Sequence, residues 1–392
     1  MADFDVSAAR ADTPGVAHGI YLNNASCSLM PRAVVDAVQD HFALAARIGG
    51  YPAASKEAPA QEAVYGSVAR LIGAGPQDIA LVESHTRAWQ SVFYGLAFSE
   101  GDRILTSRAE YGANYVSFLQ MRKRTGCVIE VIPDNNEGAI DCQALEKMID
   151  DRIALIAINW IPTNGGLINP AAEIGAVAKR HGIPYLLDAC QAVGQMPVDV
   201  ERIGCDYLTA AGRKWLRGPK GTGFLYVRRE RLADTEPAMI DDVGAAWHAA
   251  HAYELRDDAR RFESHEHEPA LRLGLGAAAD YALALGLDTI RSRVRELAEG
   301  LREALVAMPG ITVHDLGSER AGLVTFAHES VDAGAIVTAL ERQNICVKAV
   351  PREGALLDTV ARNLPVLVRI SPHYYNSEQD LEHVLTALRE SL

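Results

Sequence analysis

Asp206-Tyr207-Leu208-Thr209, Gly212-Arg213-Lys214-Trp215, Gly218-Pro219-Lys220-Gly221-Thr222-Gly223 and Phe224-Leu225-Tyr226-Val227 follow one another in the middle of the chain. Two apolar, strand-like runs flank a loop that holds a lysine and a glycine-rich turn. Upstream, Pro184-Tyr185-Leu186-Leu187-Asp188 repeats the buried-strand pattern and ends in a carboxylate 26 residues before Lys214. Outward from this stretch, over residues 75–230, similar runs occur at Ile79–Val82, Arg103–Thr106, Val128–Ile132 and Ile153–Ile158. Helix-period stretches lie between them. One runs from Pro170 to His181, with the proline suited to a first helical turn and Gly182 to the C-cap. Near-continuous apolar strands separated by helices predict a parallel sheet covered on both faces. In such sheets ligands sit beyond the carboxyl ends of the strands, where both Asn159 and Asp188 fall.

The bulk numbers narrow the function classes. A chain of 392 residues predicts two domains rather than one small core. Hydrophobic residues at 48% and charged residues at 23% fit a soluble globular protein. A formal charge of −13 argues against nonspecific binding to nucleic acid or to an anionic membrane. Met1-Ala2-Asp3-Phe4-Asp5 starts no secretory signal, and no stretch approaches the roughly 20 apolar residues of a membrane helix. The six cysteines form no C-x-x-C pair, so the expectation is a reducing, cytoplasmic compartment without a disulfide framework or zinc site.

Three segments are expected. Residues 1–30 contribute to the active site or small domain, and 31–268 form a large α/β domain. Within the latter, charges and histidines cluster over 231–268, which reads as a connecting or lid region. Residues 269–392 form a smaller α/β domain that opens with a helix from Ala270 to Leu285. His248, His251, His265 and His267 have no ligand spacing that matches a known metal site, so no metal is expected.

A lysine at one strand end and an aspartate at the end of a neighbouring strand form the pair that a pyridoxal phosphate enzyme needs. The lysine makes the Schiff base, and the aspartate keeps the pyridine nitrogen protonated so that the ring acts as an electron sink. With these motifs, and from Tyr21-Leu22-Asn23-Asn24-Ala25 to the last helix, the chain resembles the class V aminotransferase family of fold type I. That group holds cysteine desulfurases, selenocysteine lyases, kynureninase-like hydrolases and related C–S lyases. The resemblance implies a large domain with a mainly parallel seven-stranded sheet, a smaller C-terminal α/β domain, a pyridoxal 5′-phosphate cofactor and a homodimer.

It also implies roles residue by residue. Lys214 matches the Schiff-base lysine and Asp188 the partner of the pyridine nitrogen. Gln191 and Asn159 match the residues beside the cofactor's phenolic oxygen. His85 and Thr86, in Glu83-Ser84-His85-Thr86-Arg87-Ala88-Trp89, match the helix start that binds phosphate. Tyr111 stands where many relatives stack a histidine on the ring. Arg369, in Val368-Arg369-Ile370-Ser371-Pro372-His373, matches the clamp for a substrate α-carboxylate, with Asn24 as a second substrate residue. Taken alone, Asp188 would cap the next helix, Thr86 would be an N-cap, Asn164 would hold a turn with Gly165 and Gly166, and Arg369 would be a solvated strand residue.

Two places depart from the family pattern. Ala211 and Arg213 replace the hydroxyl residue and the histidine that often hold the phosphate, so Arg213 is the expected substitute. The partner subunit's Gly-Thr-Pro motif is absent from the region Arg261–Glu266. The loop Ala349–Ala355 also lacks the nucleophilic cysteine of desulfurases, which disfavours persulfide chemistry. The motifs look most like those of hercynylcysteine sulfoxide lyase-type enzymes and isopenicillin-epimerase-like members. That implies β-elimination on a cysteine-derived amino acid, with transamination or epimerisation as alternatives and a catalytically idle relative as a third.

Overall fold

The computed structural model describes residues 4–392. Seven strands form the large sheet: β1 (Ile79–Val82), β2 (Arg103–Thr106), β3 (Val128–Val131), β4 (Ile153–Asn159), β5 (Tyr185–Asp188), β6 (Tyr207–Ala211) and β7 (Gly223–Val227). Their order is β1-β7-β6-β5-β4-β2-β3, and only β7 runs antiparallel to its neighbours. Strand alternation explains why each apolar run is continuous. Ile156, Ile158, Leu187 and Leu208 face one core, while Leu155, Ala157, Leu186 and Tyr207 face the other. Truncating such a side chain, Leu187→Ala for example, costs about 2–5 kcal/mol.

Register places the chemistry. Asn159 pairs with Asp188 and Asp188 with Thr209, so the last residues of β4 and β5 stand side by side at the carboxyl edge. Helix α1 (Arg32–Ile48) and α2 (Ala58–Ile72) precede the sheet. Helices α3 (His85–Phe93) and α4 (Gly112–Thr125) follow β1 and β2, and α5 (Ala171–His181) follows β4. Pro170 is the N-cap of α5 rather than its first turn, and Gly182 closes it in the left-handed conformation.

The helix that opens at the expected domain boundary packs on the large body. Helix α6 (Pro269–Leu285) packs along α1 and α2, and its Leu275, Ala278, Ala279 and Ala282 belong to the large core. Helix α7 (Leu287–Val306) crosses between the two bodies. Ile290 and Val294 enter the large core, whereas Leu297, Leu301 and Leu305 enter the small one. Helical period alone does not tell which core an apolar stripe meets. The small body carries a four-stranded antiparallel sheet, β8 (Ile311–Val313), β9 (Val324–His328), β10 (Lys348–Val350) and β11 (Leu367–Ile370), in the order β8-β9-β11-β10. The N-terminal segment reaches it: Ile20–Tyr21 pairs with Ile345–Cys346, and Asn23 bridges to Ser371.

The 231–268 region divides in two. Ala245–Ala249 and Ala252–Leu255 form an exposed hairpin whose Trp247 is 79% exposed. By contrast, Arg261, Phe262 and Glu263 are buried under β1. There Glu263 accepts hydrogen bonds from Tyr65 Oη (2.8 Å) and Leu81 N (2.9 Å) and pairs with Arg272 (2.9 Å). This second half is an anchor, not a lid; its polar sequence hides that because the charges are satisfied internally. Among the described residues, no single helix is long and apolar enough to cross a membrane.

Candidate active site

Asp188 is buried because Tyr185–Leu187 carry β5 through the core. Its Oδ1 accepts the Cys190 amide (2.9 Å), and its Oδ2 accepts Asn114 Nδ2 (3.2 Å). His85 Nε2 lies 3.1 Å from the same Oδ2, near enough for an ion pair but off the line of a hydrogen bond. Burial alone would push the Asp188 carboxyl up; His85 and Lys214 outweigh it and hold the group well below the usual carboxylate range. Burial likewise disfavours the charged imidazole, yet the Asp188 carboxylate lifts His85 to about 10. Asn114 also donates to Glu110 Oε1 (3.0 Å). Glu110 in turn accepts the Thr106 hydroxyl (2.9 Å) and the Tyr111 amide (2.9 Å). Burial, reinforced by the Asp188 charge, raises Glu110 to about 7.

Lys214 stands in the turn after β6, which Gly212 and Gly218 close by backbone bonds: Gly212 N to Thr222 O (3.0 Å) and Gly218 N to Gly212 O (2.8 Å). The turn lies against Gly194, where any Cβ would meet Leu216 N at 2.3 Å, and φ is +92°. Arg217 accepts a left-handed φ of 63°, which costs about 1–2 kcal/mol. Its buried guanidinium offsets that by donating to Leu29 O (2.7 Å), Tyr374 Oη (2.8 Å) and Thr13 Oγ1 (2.6 Å). Lys214 itself is pushed below the ordinary lysine value by burial, with Cys190 and Asp188 opposing. It faces a cavity of about 280 Å³ lined by His85, Thr86, Tyr111, Cys190 and Arg213.

One end of that cavity is cationic. Ser84 caps α3 by accepting the Arg87 amide (3.2 Å), which leaves the first-turn N–H groups of His85 and Thr86 open to an anion. Strand β7 comes so close that a Cβ on Gly223 would sit 2.7 Å from Ser84 C and 2.8 Å from His85 N. Arg213 and Lys220 line the same wall, and neither makes an ion pair among the described residues.

Outside that lining, Arg369 is buried on β11. Nη1 donates to Thr163 O (2.9 Å) and Thr163 Oγ1 (3.0 Å), and Nη2 to Ser26 Oγ (2.6 Å); Nε has no partner. No carboxylate contacts it among the described residues, and burial lowers it to about 10. Its charge reaches Lys214, helping to depress the lysine.

Several expected site residues are turned elsewhere. Asn24 donates to Ser371 O (2.7 Å) and accepts from Tyr375 Oη (2.6 Å), which ties the N-terminal segment to the small body. Gln191 links Ala25 O (3.1 Å) to Trp215 Nε1 (2.8 Å), and Asn159 links Ser107 Oγ (3.1 Å) to Ala109 O (2.6 Å). Both brace the loops that carry Lys214 and Tyr111. Tyr111 is half-buried, its ring 6.4 Å from that of His85 and inclined by 62°. Asn164 keeps its turn beside Gly165, but its Oδ1 is buried without a partner. His248, His251 and His265 are exposed and form no close metal-like group; His85, Asp188 and Cys190 do, with ligand atoms within 4.8 Å. Sequence reasoning missed Glu110, Asn114, Cys190, Ser26 and Thr163. A polar residue four positions after Glu110, on the buried face of α4, was the available signal for Asn114.

The fold and this site define a class of protein. The chain belongs to the aminotransferase class-V family, whose model matches residues 20–384, and its architecture is fold type I. A cysteine desulfurase of Yersinia pestis is 31% identical over 410 residues, covering 99% of this chain and 98% of its own. A probable cysteine desulfurase of Methanothermobacter thermautotrophicus is 28% identical over 391 residues, covering 97% and 96%. The apo structure of a cysteine desulfurase from Thermococcus onnurineus NA1 superposes with a TM-score of 0.92 at 27% identity, covering 100% of this chain and 99% of that one.

Proposed function

We propose that this protein is a pyridoxal 5′-phosphate-dependent lyase that breaks the Cβ–S bond of a cysteine-derived amino acid. The class-V family and its cysteine-desulfurase relatives support a pyridoxal phosphate enzyme acting on a cysteine-like substrate. The donor set fits that cofactor. Asp188 would hold the ring nitrogen, Lys214 the aldehyde carbon, and the open amides of His85 and Thr86 with Arg213 the phosphate. When bound, the cofactor supplies the electron sink for negative charge at the substrate's Cα.

One observation carries the substrate assignment: Arg369 is a buried cation without a counter-ion, within electrostatic reach of Lys214. An uncompensated buried charge is costly, so an arriving α-carboxylate gains both hydrogen bonds and charge balance. Bound there, an amino acid places its Cα toward Lys214. Lys214, its proton affinity lowered by burial, takes the Cα proton on Nζ. The Cβ–S bond then breaks with its electron pair leaving on sulfur, and water converts the released three-carbon enamine to pyruvate and ammonium. The loop Ala349–Ala355 brings no thiol to accept the sulfur, which favours elimination over sulfur transfer to the protein.

The test compares wild type with Lys214→Ala after reconstitution, by visible absorption and by product analysis with cysteine, S-conjugates and their sulfoxides. A cofactor band lost in Lys214→Ala, with pyruvate and ammonium formed, supports the lyase. Alanine as product would replace it with a desulfurase, and accumulation of pyridoxamine phosphate with a transaminase. No cofactor band in wild type would sink the whole reading.

A further inference from the structure

Three elements deliver a second carboxylate to the Asp188 site: α3 brings His85, the β2–α4 connection and first turn of α4 bring Glu110 and Asn114, and β5 brings Asp188. We propose that His85 and Glu110 are positioning residues that set the proton affinity of the cofactor's ring nitrogen through Asp188, His85 lowering it and Glu110 raising it. The inference rests on the pyridoxal phosphate reading and concerns how that site is tuned.

The charge count leads to it. Asp188 already faces the His85 imidazole at 3.1 Å, a cation when protonated. A protonated ring nitrogen adds a second, and a single buried carboxylate balances only one. Glu110 supplies the other negative charge. It is tied to Asp188 by one amide, since Asn114 Nδ2 donates to Glu110 Oε1 at 3.0 Å and to Asp188 Oδ2 at 3.2 Å. The remaining contacts of Glu110 are donors too, the Thr106 hydroxyl and the Tyr111 amide, a setting made for the ionised form. His85 Nε2, in a residue only 5% exposed, has no hydrogen-bond partner and lies 3.1 Å from Asp188 Oδ2, so its one polar neighbour is that carboxylate. The other titratable and charged groups around the site are Lys214, Cys190, Tyr111, Arg213 and, on the cavity wall, Lys220 and the exposed Glu83, with Arg369 acting on Lys214. Glu110 is the buried carboxylate tied to Asp188 through Asn114.

The experiment uses reconstituted full-length protein with ¹⁵N-labelled pyridoxal phosphate and follows the ring-nitrogen shift and the visible band against pH. His85→Gln should move the ring-nitrogen titration up and Glu110→Gln should move it down, each by about one pH unit or more, with the double variant near wild type. A merely structural role moves neither, or moves both the same way, and either result overturns the proposal. His85→Gln alone decides the sign should Glu110→Gln fold poorly: an unmoved or lowered titration refutes it. In the cofactor-free chain, imidazole NMR reads the same coupling without relying on the cofactor. There Glu110→Gln must lower the His85 titration, and an unmoved value overturns the network even where the cofactor reading stands.

Discussion

At the sheet edge, Asp188 meets His85 at 3.1 Å, Asn114 at 3.2 Å and the Cys190 amide at 2.9 Å, whereas Arg369 meets only the carbonyl and hydroxyl of Thr163 and the hydroxyl of Ser26. Both charges are buried, yet one has an opposite charge beside it and the other has none. A carboxylate with a cation and two donors is held in a fixed ionisation state, suited to a resident group. A guanidinium surrounded by neutral acceptors gains most when an anion arrives and loses it again on release, suited to a substrate. The contrast also separates the experiments: damage at Asp188 should register in the cofactor, and damage at Arg369 in the substrate.

Lys214 serves both ends, so its loss is the largest expected effect. Lys214→Ala should lower Cα-proton exchange about 10²–10⁴-fold, read by deuterium wash-in to the substrate. Next comes Arg369→Gln. Loss of charge-assisted bonds worth about 1.5–3 kcal/mol should reduce kcat/KM about 10–150-fold, mainly through KM. The visible cofactor band should stay as in wild type. An equal loss of cofactor affinity would break the distinction between the two ends.

How much of this was legible follows from what sequence patterns record. Asp188 closes an apolar strand, Lys214 follows one in a turn and Arg369 lies within one, so strand pattern marks their segments while their roles come from the family resemblance. Gln191 and Asn159 sat in the right segments, but their amides brace loops, because a side chain's partner depends on register across the sheet: Asn159 stands beside Asp188 only through the β4–β5 pairing. The partners of Asn24, Ser371 and Tyr375, lie about 350 residues away in sequence, beyond any local pattern. No sequence pattern marks Glu110; only the fold buries it and joins it to Asp188 through Asn114. The apolar stripe of α6 does not tell from sequence which core it meets; it meets the large one.

Backbone packing at the anion end gives a smaller effect. Gly223→Ala forces a methyl to within 2.8 Å of His85 N and of Ala210 O. Overpacking of this kind costs about 1–3 kcal/mol, measurable by denaturant unfolding. Because the displaced atoms belong to the start of α3, the cofactor should dissociate faster than from wild type, while KM for substrate at saturating cofactor should hold. A shift in KM alone would blur the two ends.

The smallest effect tests whether the Asp188 end is balanced by charge, in the cofactor-free chain. His85 is raised from 6.5 to about 10, so its contribution to stability is complete below pH 6.5 and is lost as pH climbs toward 10. Glu110 is raised from 4.5 to about 7: the folded carboxyl holds its proton more tightly than the unfolded one, and stability falls as pH rises from 4.5 to 7. Asp188 is shifted the other way and loses its contribution only in acid. The windows therefore separate. Each slope is on the order of 1 kcal/mol per pH unit. Unfolding midpoints between pH 5 and 10 should show His85→Asn flattening the decline above pH 6.5 and Glu110→Gln flattening it below pH 7. If both variants kept the wild-type slope throughout, Asp188 would sit among neutral partners as Arg369 does, and the two buried charges would no longer differ in kind.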